Sequence, residues 1–165
     1  MDIMIRKAEK RDIKELTYIY NYEVENGVAT FDIYPKTEEE RESWFMEHSS
    51  SVHPLLVAVK DGKVAGYASL SPYRDKEAYE ATVELSVYIH SEYRKQGIAG
   101  KLMEAVLKEA RENPKIHTVV SVITAGNETS IHLHERFGFQ FCGRICQVGV
   151  KFGRYLDIDN FQLMV

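Results

Sequence analysis

The chain has 165 residues, of which 44% are hydrophobic and 28% are charged, a composition typical of a globular protein with one sizeable core. We therefore expect one domain over residues 1–165. A formal net charge of −4 argues against general nucleic-acid binding. No apolar run approaches the roughly 20 residues of a membrane span, and the N-terminus lacks the apolar stretch of a signal peptide, so we expect a cytoplasmic protein that does not bind a membrane.

The first third of the chain predicts a strand and two helices. Residues 3–6 form a short strand. Apolar residues then recur at the period of a helix, at Ile13, Leu16 and Ile19. Residues 26–32 interrupt this helix as an irregular loop. Thr37, followed three residues later by Glu40, is a capping box and predicts the start of a second helix.

The middle of the chain contains the best-defined motif. A hairpin turn at Asp61-Gly62 joins two predicted strands, and a polar loop over 72–79 follows. Alternating residues predict a strand over 82–89, and a helical period predicts a helix over 97–112. The basic, glycine-containing turn at 93–102 connects them. Because a helix N-terminus presents free N–H groups and a positive dipole, this turn predicts a phosphate site. Its local positive charges are Arg94, Lys95 and Lys101.

The last third predicts three strands and one short helix. Residues 117–124 are an apolar, β-branched run typical of a strand covered on both faces. Asn127 or Thr129 can cap a short helix that ends at Gly138. Two strands then flank a turn at 151–154. These elements together predict an α/β (α+β) fold with one mixed sheet and helices on both faces.

The spacing of the cysteines and histidines excludes two kinds of site. Cys142 and Cys146 lie in one predicted strand, where their Cα atoms would be roughly 13 Å apart, too far for a disulfide. We expect buried free thiols, in keeping with a reducing compartment. His132 and His134 are separated by one residue and face apart on a helix, and the chain has no two-cysteine zinc motif. We therefore expect no metal.

The turn and its surroundings resemble a known family. Arg94, Gly97 and Ala99 match the motif Q/R-x-x-G-x-G/A of the GNAT superfamily of acetyl-CoA-dependent N-acetyltransferases, and the similarity extends over nearly the whole chain. Within it, four segments resemble the phosphinothricin and methionine sulfoximine acetyltransferase branch. They are Ile19-Tyr20-Asn21, Thr82-Val83-Glu84, Leu133-His134-Glu135 and the stretch from Gly149 to Asp157.

The resemblance implies a GNAT fold, with a mostly antiparallel central sheet, and acetyl-CoA as the donor. It implies that the backbone of residues 87–89 pairs with the pantetheine arm, as a strand added to a sheet edge. It also implies that the turn holds the pyrophosphate and that Asn127 lies near the thioester. The implied coenzyme-binding residues are Val87, Tyr88, Ile89, Arg94, Lys95, Gln96, Gly97, Ile98, Ala99, Gly100, Lys101 and Asn127.

Two residues are implied to be catalytic. Its position alone favours Glu84 as a solvated carboxylate on the polar face of a strand. An amino acid's ammonium group must lose a proton before it attacks a thioester, and the resemblance assigns Glu84 as the base. His134 shares a helix face with Ile131 and Phe137, which also suits a hydrogen-bonded core histidine. The resemblance implies that His134 assists base catalysis or the leaving group, and its exact role stays open.

The predicted acceptor-binding residues are Phe31, Arg74, Tyr79, Glu84 and Ser86. Arg74 would bind an α-carboxylate through its guanidinium fork, and Phe31 and Tyr79 would form the walls of the pocket. Backbone N–H groups near Ser86 and Val87 would stabilise an oxyanion. Lys151 and Arg154 either close this pocket or form an exposed turn.

The leading hypothesis is therefore an N-acetyltransferase that acts by direct transfer on a small amino-acid acceptor such as phosphinothricin, methionine sulfoximine or methionine sulfone. One alternative is the same chemistry on a polyamine, an aminoglycoside or a protein N-terminus, for which an acidic groove is expected. The other is a non-catalytic acyl-CoA-binding domain, which would not need Glu84 and His134. The family resemblance also implies a homodimer.

Overall fold

The computed structural model describes residues 2–165 and contains a seven-stranded sheet of order β1-β2-β3-β4-β5-β7-β6. The strands are β1 Met4–Lys7, β2 Leu55–Lys60, β3 Lys63–Pro72, β4 Thr82–Ile89, β5 Thr118–Thr124, β6 Gln140–Lys151 and β7 Arg154–Met164. The α-helices are α1 Ile13–Asn26, α2 Glu38–Glu47, α3 Ile98–Glu112 and α4 Glu128–Arg136. Only β4 and β5 are parallel neighbours, which confirms the predicted mixed, mostly antiparallel sheet.

Local sequence signals determine several element boundaries. Thr37 Oγ1 accepts a hydrogen bond from the Glu40 N–H at 3.1 Å, and the Glu40 carboxylate accepts one from the Thr37 N–H at 2.8 Å. This reciprocal pair starts α2. Asp61 and Gly62 both adopt left-handed φ values, 52° and 75°, as a two-residue hairpin turn requires. Asn127, rather than Thr129, caps α4, because its side chain accepts the Ser130 N–H.

Helices cover both faces of the sheet, as predicted. On one face, α3 buries Leu102 and Val106 against the sheet, and Leu133 of α4 packs beside them. On the other face, Leu16 of α1 and Trp44 of α2 pack over a smaller cluster. Side chains alternate along β4, so the odd-numbered residues lie on the α3 face of the sheet and the even-numbered residues lie on the α1–α2 face. No helix within residues 2–165 is long and apolar enough to cross a membrane.

Two expectations about burial are wrong. Cys142 and Cys146 are free thiols, as expected, but both are exposed. They lie on β6, the outer strand of the sheet, where two register shifts break the simple alternation that a buried pair would need. Strand β5 is not covered on both faces, because Val122 is 39% exposed and lines an open cavity.

Candidate active site

Strands β4 and β5 pair over only three positions, and the last pair is Glu84 with Val120. Beyond that pair the two strands separate. A cavity of about 1090 Å³ is lined by residues 85–89 of β4 and by residues 121–127, which begin in β5. We call it the fork cavity. It combines a strand edge on one side with the N-termini of two helices, α3 and α4, which follow the carboxyl ends of these two parallel strands.

The backbone of β4 is free to pair with an extended ligand in this cavity. The His90 N–H donates to the Ala65 carbonyl in β3 at 2.8 Å. Because hydrogen-bonding direction alternates along an antiparallel pair, the N–H and C=O groups of Val87 and Ile89 point away from β3, towards the fork cavity. Unpaired strand groups of this kind can bind a ligand as an added strand.

The same alternation changes two details of the prediction. The backbone groups of Tyr88 face Tyr67 of β3, so they do not point into the fork cavity. Likewise the backbone groups of Ser86 face Ser69. Of the two N–H groups predicted to stabilise an oxyanion, only that of Val87 points towards the gap between β4 and β5.

The turn before α3 has the geometry of an anion site. Lys95 and Gly97 adopt φ values of 61° and 77°, and no side chain caps the helix. The first intrahelical donor is the Lys101 N–H, which bonds to the Gly97 carbonyl at 3.3 Å. The N–H groups of residues 98–100 therefore lack an intrahelical acceptor and lie at the wall of the fork cavity. A Cβ atom at Gly100 would meet nothing within 4 Å, so the approach to these groups is open.

The charges near the turn are arranged differently from the prediction. The Arg94 guanidinium forms an ion pair with Glu23 of α1 and lies over the Tyr22 ring. Arg94 and Lys95 still line the fork cavity, whereas Gln96 and Lys101 do not. Arg154, whose position the sequence left open, also lines it. Asn127 also lines the cavity, where it caps α4.

Lys151, the other residue left open, does not form an exposed turn. It is buried, and its Nζ donates to the Thr30 carbonyl at 2.8 Å. Burial lowers the pKa of Lys151. This contact ties the β6–β7 hairpin to the loop after α1, which carries Phe31.

A second cavity, of about 690 Å³, lies on the α1–α2 face of β4, and we call it the Glu84 cavity. Glu84 and Phe31 line it. Ser86 and Tyr88 line both cavities, so the two spaces meet across β4. Burial raises the pKa of Glu84, which is half-buried and has no cation within ion-pairing distance among the described residues. A carboxylate with a raised pKa is a stronger base than a solvated one.

His134 is buried at 5% exposure between Ser130 and Ser121. Its Nδ1 lies 2.7 Å from the Ser130 carbonyl, which can only accept, so Nδ1 carries the proton. Its Nε2 lies 2.9 Å from the Ser121 hydroxyl and accepts from it. Burial lowers the pKa of His134, which keeps the ring neutral at pH 7. The ring therefore lines the fork cavity as a hydrogen-bonded acceptor.

Two of the predicted acceptor-binding residues lie apart from the Glu84 cavity. Arg74 is exposed, and its guanidinium lies over the rings of Tyr73 and Tyr79, 4.9 and 5.5 Å from their centroids. Neither Arg74 nor Tyr79 lines the cavity. Their role in acceptor binding stays a prediction.

Sequence reasoning missed the cationic and aromatic wall of the Glu84 cavity. Arg41 is stacked on Trp44, with its Cζ 3.5 Å from the centroid of the indole ring, and Tyr20 and Tyr67 lie beside it. The available signal was the spacing of three between Arg41 and Trp44, which puts both on one face of α2. Residues 2–165 contain no cluster of three or more His, Cys, Asp or Glu side chains that could hold a metal ion.

Comparison with known proteins relates this geometry to a family. The sequence model of the acetyltransferase (GNAT) family matches residues 13–139. An L-methionine sulfoximine/L-methionine sulfone acetyltransferase of Pseudomonas paraeruginosa is 38% identical over 164 residues, which cover 99% of this chain and 95% of the relative.

Two solved structures are similar over almost the full chain. A phosphinothricin acetyltransferase from Sinorhizobium meliloti in complex with AcCoA is 33% identical, with a TM-score of 0.93 over 100% of this chain and 89% of the other. A ribosomal-protein-alanine N-acetyltransferase from Brucella melitensis is 41% identical, with a TM-score of 0.95 over 98% and 99%. The matched family model, the relatives and the forked sheet agree: the chain belongs to the GNAT family of acetyltransferases.

Proposed function

We propose that the protein transfers the acetyl group of acetyl-CoA directly to the amine of a small amino-acid acceptor of the methionine sulfoximine, methionine sulfone or phosphinothricin type. The observation that carries this proposal is the meeting of the two cavities across β4 at Ser86 and Tyr88, with Glu84 on the acceptor side. The names of the relatives support the acceptor class. We also propose that residues 1–165 act as one catalytic domain and that the protein works in the cytoplasm, where free thiols are stable.

The fork cavity suits a coenzyme A thioester. Free backbone groups at Val87 and Ile89 can pair with the amides of a pantetheine arm, and the N–H groups at residues 98–100 can bind a pyrophosphate. Arg154 and Lys95 add positive charge at the wall of this cavity. The donor brings a thioester, whose carbonyl carbon is the electrophile of the reaction.

Each side-chain role follows from its position. Glu84 accepts a proton from the acceptor's ammonium group, so the free amine can form its bond to the thioester carbon. The Val87 N–H, which points to the gap, donates to the thioester oxygen as negative charge develops there. The carbon–sulfur bond then breaks, the nitrogen loses its second proton to become an amide, and the released thiolate takes up this proton as the thiol of coenzyme A. His134 is neutral, and its Nε2 accepts from Ser121 at the wall of the fork cavity; its part in base catalysis or in protonation of the leaving group stays a prediction.

The two thiols take no part in this scheme. Cys142 and Cys146 are exposed on β6, and neither lines the fork cavity or the Glu84 cavity. Transfer without an acetylated cysteine is therefore the simpler route.

A release assay for coenzyme A thiol tests this function directly. The purified protein is mixed with acetyl-CoA and a panel containing L-methionine sulfone, L-methionine sulfoximine, phosphinothricin, spermidine, an aminoglycoside and an Ala-initiated peptide. We expect turnover with the three amino acids and acetylation at the α-amine by mass spectrometry. Binding of acetyl-CoA without turnover of any amine would instead support a non-catalytic domain.

The lining of the Glu84 cavity also gives a reason to test polycationic acceptors. Its charged residues are Asp32, Lys36, Glu40, Arg41, Glu47 and Glu84, an excess of carboxylates. An acidic groove favours amines without a carboxylate. Preference for spermidine or for the Ala-initiated peptide over all three amino acids would replace the proposed acceptor class and leave the acetyltransferase activity intact.

We further propose a homodimer that forms through β6. This edge strand exposes four apolar side chains, each 48–59% exposed: Phe141, Ile145, Val148 and Val150. Such a row is a ready site for a second copy. Light scattering should give twice the mass of one chain for the wild type and a monomer for Val148→Lys. Met4→Lys, at an exposed apolar position on the opposite edge strand β1, is the matched control and should remain dimeric.

A further inference from the structure

Arg41 is the most deeply buried cation at the Glu84 cavity. It is only 4% exposed, yet it lines the same cavity as Glu84. Its guanidinium lies over two aromatic rings, with Cζ 3.5 Å from the Trp44 centroid and 4.6 Å from the Tyr20 centroid. Stacking of this kind fixes the plane of the guanidinium and directs its donors sideways.

The charge of Arg41 has no counter-ion in the described chain. Nη2 donates to the Tyr67 hydroxyl at 3.2 Å, a neutral partner. Nε is the one buried side-chain nitrogen or oxygen without a hydrogen-bond partner among residues 2–165. No carboxylate of the described residues lies within ion-pairing distance of the guanidinium. Burying a charge without a partner costs free energy, so this guanidinium indicates a ligand that supplies the missing negative charge and hydrogen-bond acceptors.

Two of the four carboxylates around the cavity, Asp32 and Glu40, have other partners. The Tyr20 hydroxyl donates to Asp32, which also lies 3.9 Å from the Lys36 Nζ. Glu40 accepts the Thr37 N–H in the capping box of α2. These contacts reduce the acidic character that the lining suggests, and they leave Arg41 as an available partner for an anion.

We propose that Arg41 binds the α-carboxylate of the acceptor and so selects amino acids over plain amines. An amino acid carries a carboxylate and an ammonium group on one carbon, and the Glu84 cavity offers a cation and a base for the two. A diamine acceptor would leave Arg41 without a partner and bring a second positive charge towards it. Arg41 thus takes the place that the sequence suggested for Arg74. The inference rests on the proposed function, since it concerns the acceptor of the same reaction.

The test compares two acceptors that differ only in the carboxylate: L-methionine sulfone and 3-(methylsulfonyl)propylamine. Steady-state kcat and KM are measured for wild type, Arg41→Gln and Arg41→Lys at saturating acetyl-CoA. Loss of a charge-assisted hydrogen bond corresponds to a drop of about 10- to 100-fold in kcat/KM. We expect that drop in Arg41→Gln for L-methionine sulfone alone, mainly through KM, with Arg41→Lys intermediate because it keeps the charge but not the fork.

Two further variants complete the design. Arg111→Gln, an exposed arginine in the last turn of α3, is the matched control and should keep the wild-type preference for the carboxylate. Arg74→Gln is the competitor variant, and a selective loss there with an unaltered preference in Arg41→Gln would overturn the proposal. Circular dichroism and thermal melting report whether each variant is folded. If Arg41→Gln is not folded, the comparison of the two acceptors is made with Arg41→Lys.

The outcomes separate this inference from the proposed function. If the wild type turns over neither acceptor, the acceptor class itself is wrong. A second outcome is that the wild type prefers L-methionine sulfone, but the Arg41→Gln variant loses activity on both acceptors by the same factor. The Arg41→Lys variant replaces Arg41→Gln here if the latter is not folded. In that case the acceptor class stands, and Arg41 only supports the aromatic wall. A selective loss for the acceptor that has a carboxylate supports the assignment.

Discussion

Glu84 and Val120 form the last paired position between β4 and β5, the only parallel neighbours among the strands of residues 2–165. Up to this pair the sheet is continuous; beyond it, the free edge of β4 forms a wall of the fork cavity. The side chain of Glu84 points to the other face and into the Glu84 cavity. The candidate base therefore lies at the point where the backbone stops binding β5 and becomes available to a ligand.

The first prediction concerns catalysis by Glu84. Glu84→Gln keeps the shape of the side chain but cannot accept a proton, so kcat/KM should fall about 10²- to 10⁴-fold. Because burial raises the pKa of Glu84, the wild-type kcat/KM should rise with pH through a carboxyl pKa above its ordinary value of 4.5. The variant should lack this limb. Acetyl-CoA binding by calorimetry is the control and should not change; full activity in Glu84→Gln would remove the residue from the base role.

The same burial predicts that Glu84 reduces stability near neutral pH. A carboxyl whose pKa is higher in the folded than in the unfolded state binds its proton more tightly when folded, so its contribution is lost as pH rises through the folded pKa. Glu84→Gln should therefore be more stable than wild type at pH 7.5. The advantage should shrink as pH falls towards 4, where the folded state is protonated and the unfolded state is mostly protonated. Urea unfolding at the two pH values measures the difference, and an equal stability at pH 7.5 would contradict the prediction.

Much of the fold is readable from the sequence because its signals are local. The capping box at Thr37, the hairpin turn at Asp61 and the helix end at Gly138 each act over a few residues and appear where predicted. The distance between Glu84 and the anion site could also be predicted, because both lie along β4 and the turn that follows it. What these residues share is that their conformation depends on their immediate neighbours.

The features that sequence reasoning missed depend on distant contacts. Lys151 is buried because a carbonyl 121 positions away, at Thr30, accepts its hydrogen bond. Cys142 is exposed because β6 forms the outer edge of the sheet, and strand order is not visible in an alternating pattern. Arg41 lies in a helix rich in charged residues, and its guanidinium lies over the ring of Tyr20 from α1 as well as over Trp44.

Two glycines of the turn give a matched pair for the anion site. A methyl group at Gly97 or at Gly100 would meet nothing within 4 Å, but only Gly97 has a left-handed φ, of 77°. Gly97→Ala should therefore cost roughly 1–2 kcal/mol through backbone strain and distort the N–H groups of the turn, which weakens acetyl-CoA binding. Gly100→Ala should be neutral or slightly stabilising. Calorimetric titration with acetyl-CoA and thermal melting measure both effects. Equal losses of affinity in the two variants would show that space, rather than φ, limits the turn.

The lowered pKa of His134 predicts that the folded protein loses stability in mild acid. Its pKa is lower in the folded state than the ordinary 6.5, so the unfolded chain binds a proton first and stability falls as pH drops below about 6.5. His134→Gln should cost about 1–3 kcal/mol at pH 7.5, because the buried bonds to Ser130 and Ser121 are disturbed. The gap to wild type should narrow at pH 5.5. His132→Gln, on the exposed side of the same helix, is the control; urea unfolding at both pH values is the measurement, and a constant gap would refute the assignment.

A substitution at Gly149 should displace one wall of the Glu84 cavity, although Gly149 itself does not line this cavity. A Cβ atom at Gly149 would clash with Cε2 of Phe31, which lines that cavity. Gly149→Ala should push the Phe31 ring and the loop that carries it, and raise KM for the amino-acid acceptor while acetyl-CoA binding stays unchanged. In a Phe31→Ala background the new methyl has room, so adding Gly149→Ala should then have no further effect. Steady-state kinetics on the two single variants and the double variant measure this coupling, and additive losses would mean that Gly149 acts on the hairpin rather than on Phe31.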